Sequence, residues 1–171
     1  GSLALMALLP AWFPDLIYSL MSANQVASME SMYDPANRII GPMSARDHQD
    51  DWVMFGFYIM NNIGITFQTF ASGLLFGLGS LFFLLFNGLH IGAVAGHLTR
   101  IGYHETFWPF VIGHGAFELT AIVLAGAAGL KLGSALIAPG RLTRANALRD
   151  AAKISIRLLG GAIIFLFIAA F

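Results

Sequence analysis

From Trp52 to Thr99 the chain runs for 48 residues with no charged side chain other than histidine. About 20 apolar residues cross a hydrocarbon core of about 30 Å, and uncharged runs of that length read as transmembrane helices. A run of 48 residues is too long for one crossing and suits two. The chain must therefore reverse inside it, either at Gly73, Gly77 and Gly79 or at the Asn87-Gly88 pair. Composition agrees with a bilayer environment. Hydrophobic residues make up 57% of the chain and charged residues 11%, where a soluble domain carries about 25% charge.

Three further segments have the same character. Leu3 to Met21 reads as a first span, interrupted by Pro10 and Pro14, which membrane helices tolerate when neighbours satisfy the freed backbone. Trp108 to about Leu130 reads as a fourth, with Thr106 as its cap and Pro109 in its first turn. The fifth begins near Thr143 with a basic, amphipathic half and ends in the apolar run to Phe171. Residues 131–143 read as the loop before it. The expectation is an all-α, polytopic transmembrane helical bundle of about five spans, forming a single membrane domain over residues 1–171. Gln25 to Tyr33 carries Val26, Met29, Met32 and Tyr33 at helical spacing and adds a short extracytoplasmic interfacial helix. Both ends read as cut. Apolar sequence starts directly after Gly1-Ser2, and the final run from Leu158 would cover only about 21 Å as a helix. The native chain is expected to continue at one or both ends.

Charge sets the expected sidedness. Residues 22–51 hold Glu30, Asp34, Asp47, Asp50 and Asp51 against Arg38 and Arg46, a net −3. Residues 131–157 hold Lys131, Arg141, Arg144, Arg149, Lys153 and Arg157 against Asp150, a net +5. Cytoplasmic loops are enriched in Lys and Arg. The loop 131–157 is therefore expected in the cytoplasm, together with the N-terminus, and the acidic stretch 22–51 outside the cell membrane. No chain-wide basic patch suggests nucleic acid as a partner.

Gly88, Gly92 and Gly96 lie four apart in one span, and Ala121, Ala125, Gly129 and Gly133 do so in another. Small residues at this spacing let helix backbones approach closely. The stripe fits a tight helix pair or a homodimer seam. It also fits the general abundance of glycine and alanine in membrane helices.

Polar residues inside the apolar runs carry the functional question. Glu118 is the only carboxylate between Glu105 and Lys131, and a charge at mid-membrane costs about 2.5–3.5 kcal/mol on insertion scales. His114 precedes it by four residues, one turn away on the same face. The two can share a proton or hydrogen bond, or hold one metal ion. Asn87, His90 and His97 fall on one side of the third span, and Asn61, Gln68 and Ser72 on one side of the second. Asn62, Thr66 and Thr69 form a neighbouring stripe. Such faces are expected to turn inward as a polar core or a water-filled cavity. His114, Glu118, His90 and His97 are the metal candidates, since three protein ligands and an open position make a catalytic zinc site.

Nothing completes a catalytic set. There is no HExxH or GxSxG, Ser72 and Ser80 lack an obvious base, and the glycines of 73–79 have no Walker lysine. The absence of cysteine excludes disulfides and thiolate chemistry. The reading leans away from an enzyme and toward a scaffold. A transporter or channel for a small solute, ion or lipid is the alternative from the polar faces, and a metal-dependent intramembrane hydrolase the alternative from the His-Glu pair.

The run FFLLFNGLHIG at residues 82–92, FWPFVIGHGAFELTAIVLAGAAGLKLG at 107–133 and APGRLTRANAL at 138–148 resemble the stage II sporulation protein M family. Asn61 within YIMNNI resembles the asparagine at the start of the family core. The resemblance covers about residues 55–171. It implies an integral membrane protein, found well beyond spore formers, that anchors a complex. In sporulating bacteria the partners are two peptidoglycan-degrading enzymes acting in engulfment. Elsewhere the family's genes often lie beside those of MoxR-type ATPases. By position, the resemblance marks Asn61, Asn87, Gly88, His114, Gly115, Glu118 and Leu119, while His90 and His97 fall outside its pattern. Asn61 and Asn87 are thus the expected partners of the His114–Glu118 pair. Gly88, Gly92, Gly96, Gly115, Ala125 and Gly129 are the expected packing residues, and a homodimer or higher oligomer the expected assembly.

Overall fold

The computed structural model describes residues 2–9, 13–36 and 48–169, and the side chains of 2, 3, 6, 48–59, 110 and 114 lie outside the description. Among the described residues every regular element is helical. The helices are α1 (Ser2–Leu8), α2 (Ala23–Tyr33), α3 (His48–Ala71), α4 (Leu78–Arg100), α5 (His104–Phe110), α6 (Ala116–Ile137) and α7 (Arg144–Ala169). Short 3-10 turns lie at Pro14–Ser19 and Ser72–Leu74, and a π turn at Val111–Gly115 joins α5 to α6. The all-helical membrane-type bundle is the architecture expected from the apolar runs.

Among the described residues three helices are long and apolar enough to cross a membrane: Leu78–Arg100, Ala116–Ile137 and Arg144–Ala169. The other two expected spans look different. Leu3 to Met21 is a seven-residue helix and a separate 3-10 turn that begins at Pro14. Proline has no N–H for the helical ladder, and Pro10 itself lies outside the described residues. α3 has the length, at 24 residues, but Asn61, Asn62, Thr66, Gln68 and Thr69 interrupt its apolar character. The connector expected at 131–143 is shorter. α6 continues to Ile137 and α7 starts at Arg144, leaving a turn with Gly140 at φ +65°.

The fold consists of two compact units, residues 1–46 with 85–112, and residues 47–84 with 113–171. Within the described residues the chain passes between them in α4 and in the π turn.

In the first unit a capping box starts α2. Gln25 N donates to Ser22 Oγ at 3.4 Å, and Ser22 N donates to Gln25 Oε1 at 2.9 Å. The inward face of α2 then repeats every three or four residues. Val26 is buried with Ile17 and Ala93, and Met29 and Tyr33 pack on Ala95, Leu98 and Phe107. Tyr33 meets the Phe107 ring edge-on, with centroids 5.2 Å apart. Thr106 Oγ1 donates to the Tyr33 carbonyl.

The second unit is built on α6, which packs along α7 and against α3 and the Ser72–Leu74 turn. The reversal inside the long uncharged run falls at residues 72–77, the first of the two glycine options. Phe76 and Gly77 both take left-handed backbone angles there, φ 53° and 81°. A non-glycine residue in that region is uncommon, and the seat of the turn on α6 accounts for it. A Cβ on Gly73 would overlap the main chain of Gly129, and one on Gly133 would overlap the main chain of Gly77. Buried and half-buried hydroxyls fasten the same unit. Ser80 Oγ donates to Thr69 O at 2.6 Å, Ser72 Oγ to Thr69 O at 3.1 Å, and Ser155 Oγ on α7 to Ala128 O on α6 at 2.8 Å. Within a bilayer such contacts matter more than apolar burial, because lipid tails are as apolar as the helices.

Candidate functional site

The expected site residues are divided between the two units. In the second, α3 has a definite inward side. Asn62, Thr66 and Thr69 are buried, while Asn61 and Gln68 are exposed and Ser72 is half-buried. The neighbouring stripe, rather than the one led by Asn61, faces the interior. Thr69 Oγ1 donates to Ile65 O at 2.8 Å, whereas Thr66 Oγ1 is buried with no hydrogen-bond partner among the described residues.

Glu118 lies in the first turn of α6, half-buried and with interactions of its own. The backbone of His114 is in the π turn just before it. Single π turns inside α-helices recur at functional sites. Here the wide turn follows two residues after Pro109, which cannot continue the ladder. The side chain of His114 lies outside the described residues, and with it the expected contact to Glu118. Gly115 closes the turn, and Ala125 and Gly129 are buried on α6. A Cβ on Gly129 would overlap Ser80 Oγ.

The other expected residues belong to the first unit. Asn87 on α4 is half-buried and engaged, Gly88 is half-buried, and Gly92 and Gly96 are buried. His90 stacks on Phe86 with ring centroids 6.1 Å apart, and its Nδ1 is buried without a hydrogen-bond partner among the described residues. His97 is engaged through one ring nitrogen. Its Nε2 lies 2.6 Å from Glu30 Oε1, with the histidine 3% exposed and the glutamate 34%. A carboxylate only accepts, so the imidazole proton is assigned to Nε2. Nδ1 has no partner among the described residues.

The Glu30–His97 pair was not among the expected site residues. Glu30 sits in the acidic connector, 67 residues from its partner. One signal marks it. At four residues from Val26 and three from Tyr33, it falls on the apolar face of α2, where a charge needs a partner. Among the described residues no group of three metal-binding side chains occurs, and His114, the fourth candidate, has its side chain outside them.

Comparison with known proteins supplies the family. The family model described as stage II sporulation protein M matches residues 3–171. The chain belongs to the stage II sporulation protein M family. One curated relative is an uncharacterized protein of Methanocaldococcus jannaschii, 28% identical over 75 residues. That match covers 43% of this chain and 42% of the relative, so the chain spans less than half of that protein's length. No solved structure matches. The stage II sporulation protein M assignment, together with the three long apolar helices, makes this an integral membrane protein of that type.

Proposed function

We propose that the protein is a non-enzymatic membrane scaffold that assembles, as a homodimer or larger oligomer, with partner proteins. The observation that carries this reading is what its buried hydroxyls do. Ser80, Ser155 and Thr106 each donate to a main-chain carbonyl of another segment. Ser72 and Ser80, the serines of the reversal, both donate to Thr69 O. These groups hold segments together and are not presented as nucleophiles. In this reading Glu118 and His114 form a polar lock. The small residues of α4 and α6 supply close helix contacts. The basic residues 131–157 face the cytoplasm and the acidic stretch 22–51 faces outward. The family resemblance suggests peptidoglycan-degrading enzymes or a MoxR-type ATPase as partners.

The test is purification of the full chain from native membranes after crosslinking. The expected result is recovery in an assembly containing one of those two partner classes. Recovery as a lone monomer would contradict the proposal.

A second reading, passage of a small solute, ion or lipid, draws on one observation. Asn62, Thr66 and Thr69 turn a polar stripe inward, and Thr66 Oγ1 finds no partner among the described residues. Solute flux in reconstituted vesicles that disappears in Thr66→Val would favour it over the scaffold.

A further inference from the structure

We propose that the cleft between the end of α6 and the start of α7 binds the headgroup of an anionic phospholipid. The cleft has a volume of about 280 Å³ and lies wholly within the second unit. Its lining combines two kinds of surface. Ala135, Ala147 and Ala151 belong to a buried apolar cluster and are small enough to leave a groove between the helices. Lys131 and Ser134 stand on the α6 side, and Asp150 and Ile154 on the α7 side.

Charge favours an anion. Asp150 is the carboxylate lining the cleft, and Lys153 Nζ sits 3.0 Å from its Oδ1. That pairing leaves Lys131 to act on an incoming phosphate. Arg144 lies three residues before Ala147, and Arg157 three after Ile154. Helical spacing places both beside the cleft-lining face of α7. Arg149, two residues past Ala147, is on the opposite side.

Depth favours a lipid as the source. Lys131 is the first charged residue on α6 after Glu118, and Arg157 is the last one on α7. Both helices are of spanning length and composition, so these two residues mark where the apolar stretches end. The cleft therefore opens at headgroup level. Exposed Ile154 lines it, where an acyl chain would leave the headgroup. Basic groups near an anionic membrane surface attract such lipids.

The test uses the full chain, purified in detergent and stripped of lipid. Phosphatidylglycerol or phosphatidylcholine is added, and bound lipid is counted by mass spectrometry of the intact complex. Phosphatidylglycerol is expected to bind and phosphatidylcholine not. Lys131→Ala and Arg157→Ala should each weaken binding about fivefold. Arg149→Ala, which removes the same charge from the far side of α7, should leave binding unchanged. Ala138→Leu, at an exposed position that lines the cleft, should block binding without altering charge. Equal weakening by Arg149→Ala would reduce the effect to bulk charge and overturn the proposal. So would equal binding of phosphatidylcholine, an unaffected Ala138→Leu variant, or displacement of the lipid by millimolar inorganic phosphate.

Discussion

Gly133→Leu is expected to leave little folded protein in detergent, while Gly160→Ala is expected to match or exceed the parent in thermal stability. The nearest atoms to a Cβ at Gly133 are the nitrogen and Cα of Gly77 and the carbonyl carbon of Phe76, all main chain. A flexible side chain could swing away, but these atoms cannot. Phe76 and Gly77 are already held in left-handed conformations by the turn they form. Overpacking a core with even small groups costs about 1–3 kcal/mol, and a leucine side chain against fixed backbone should exceed that range. Gly160 has nothing within 4 Å of its would-be Cβ. Alanine there gains up to about 1 kcal/mol of helix preference. Unfolding temperatures of the two variants in the same detergent make the comparison. Similar values for both would mean that the turn is not seated on α6.

The second large effect is expected at His97. His97→Ala removes a buried ring and leaves the Glu30 carboxylate facing the apolar residues of α2 and α4. Breaking a fully buried ion pair costs about 3–5 kcal/mol. Glu30 is 34% exposed, which keeps part of its solvation and lowers the expectation to about 1–3 kcal/mol. The double variant Glu30→Ala/His97→Ala separates pairing from lost packing. It should lose less stability than the two single variants summed, because the second change removes the stranded charge. A sum that is simply additive would show that the 2.6 Å contact carries no energy.

Different parts of this molecule were legible in the sequence to different degrees. The helical class followed from the uncharged run of 52–99 and the charge deficit, because a bilayer leaves the backbone few alternatives. The reversal was legible only as one of two places, the glycines of 73–79 or Asn87-Gly88, because both offer the left-handed backbone that a missing Cβ allows. The phase of α3 was not legible. Asn61 and Asn62 are adjacent, polar residues occur around much of that helix, and only packing against α6 decides which one turns inward. The Glu30–His97 pair was hidden by distance along the chain, although the misplaced charge on the α2 stripe was visible. The unit boundary inside α4 had no sequence signal, because that helix is continuous with no break between Leu84 and Leu85.

In the proposed membrane scaffold Glu118 is part of a structural lock. The direct measurement is the yield of crosslinked assembly in native membranes for the parent chain and for Glu118→Gln, at matched expression. Glutamine keeps the size of the side chain and removes its charge and proton exchange. The assembly is expected to fall severalfold, with cellular function falling in proportion. A Glu118→Gln protein that assembles like the parent yet has lost its cellular function would contradict it, and would make the carboxylate a chemical group rather than a fastening.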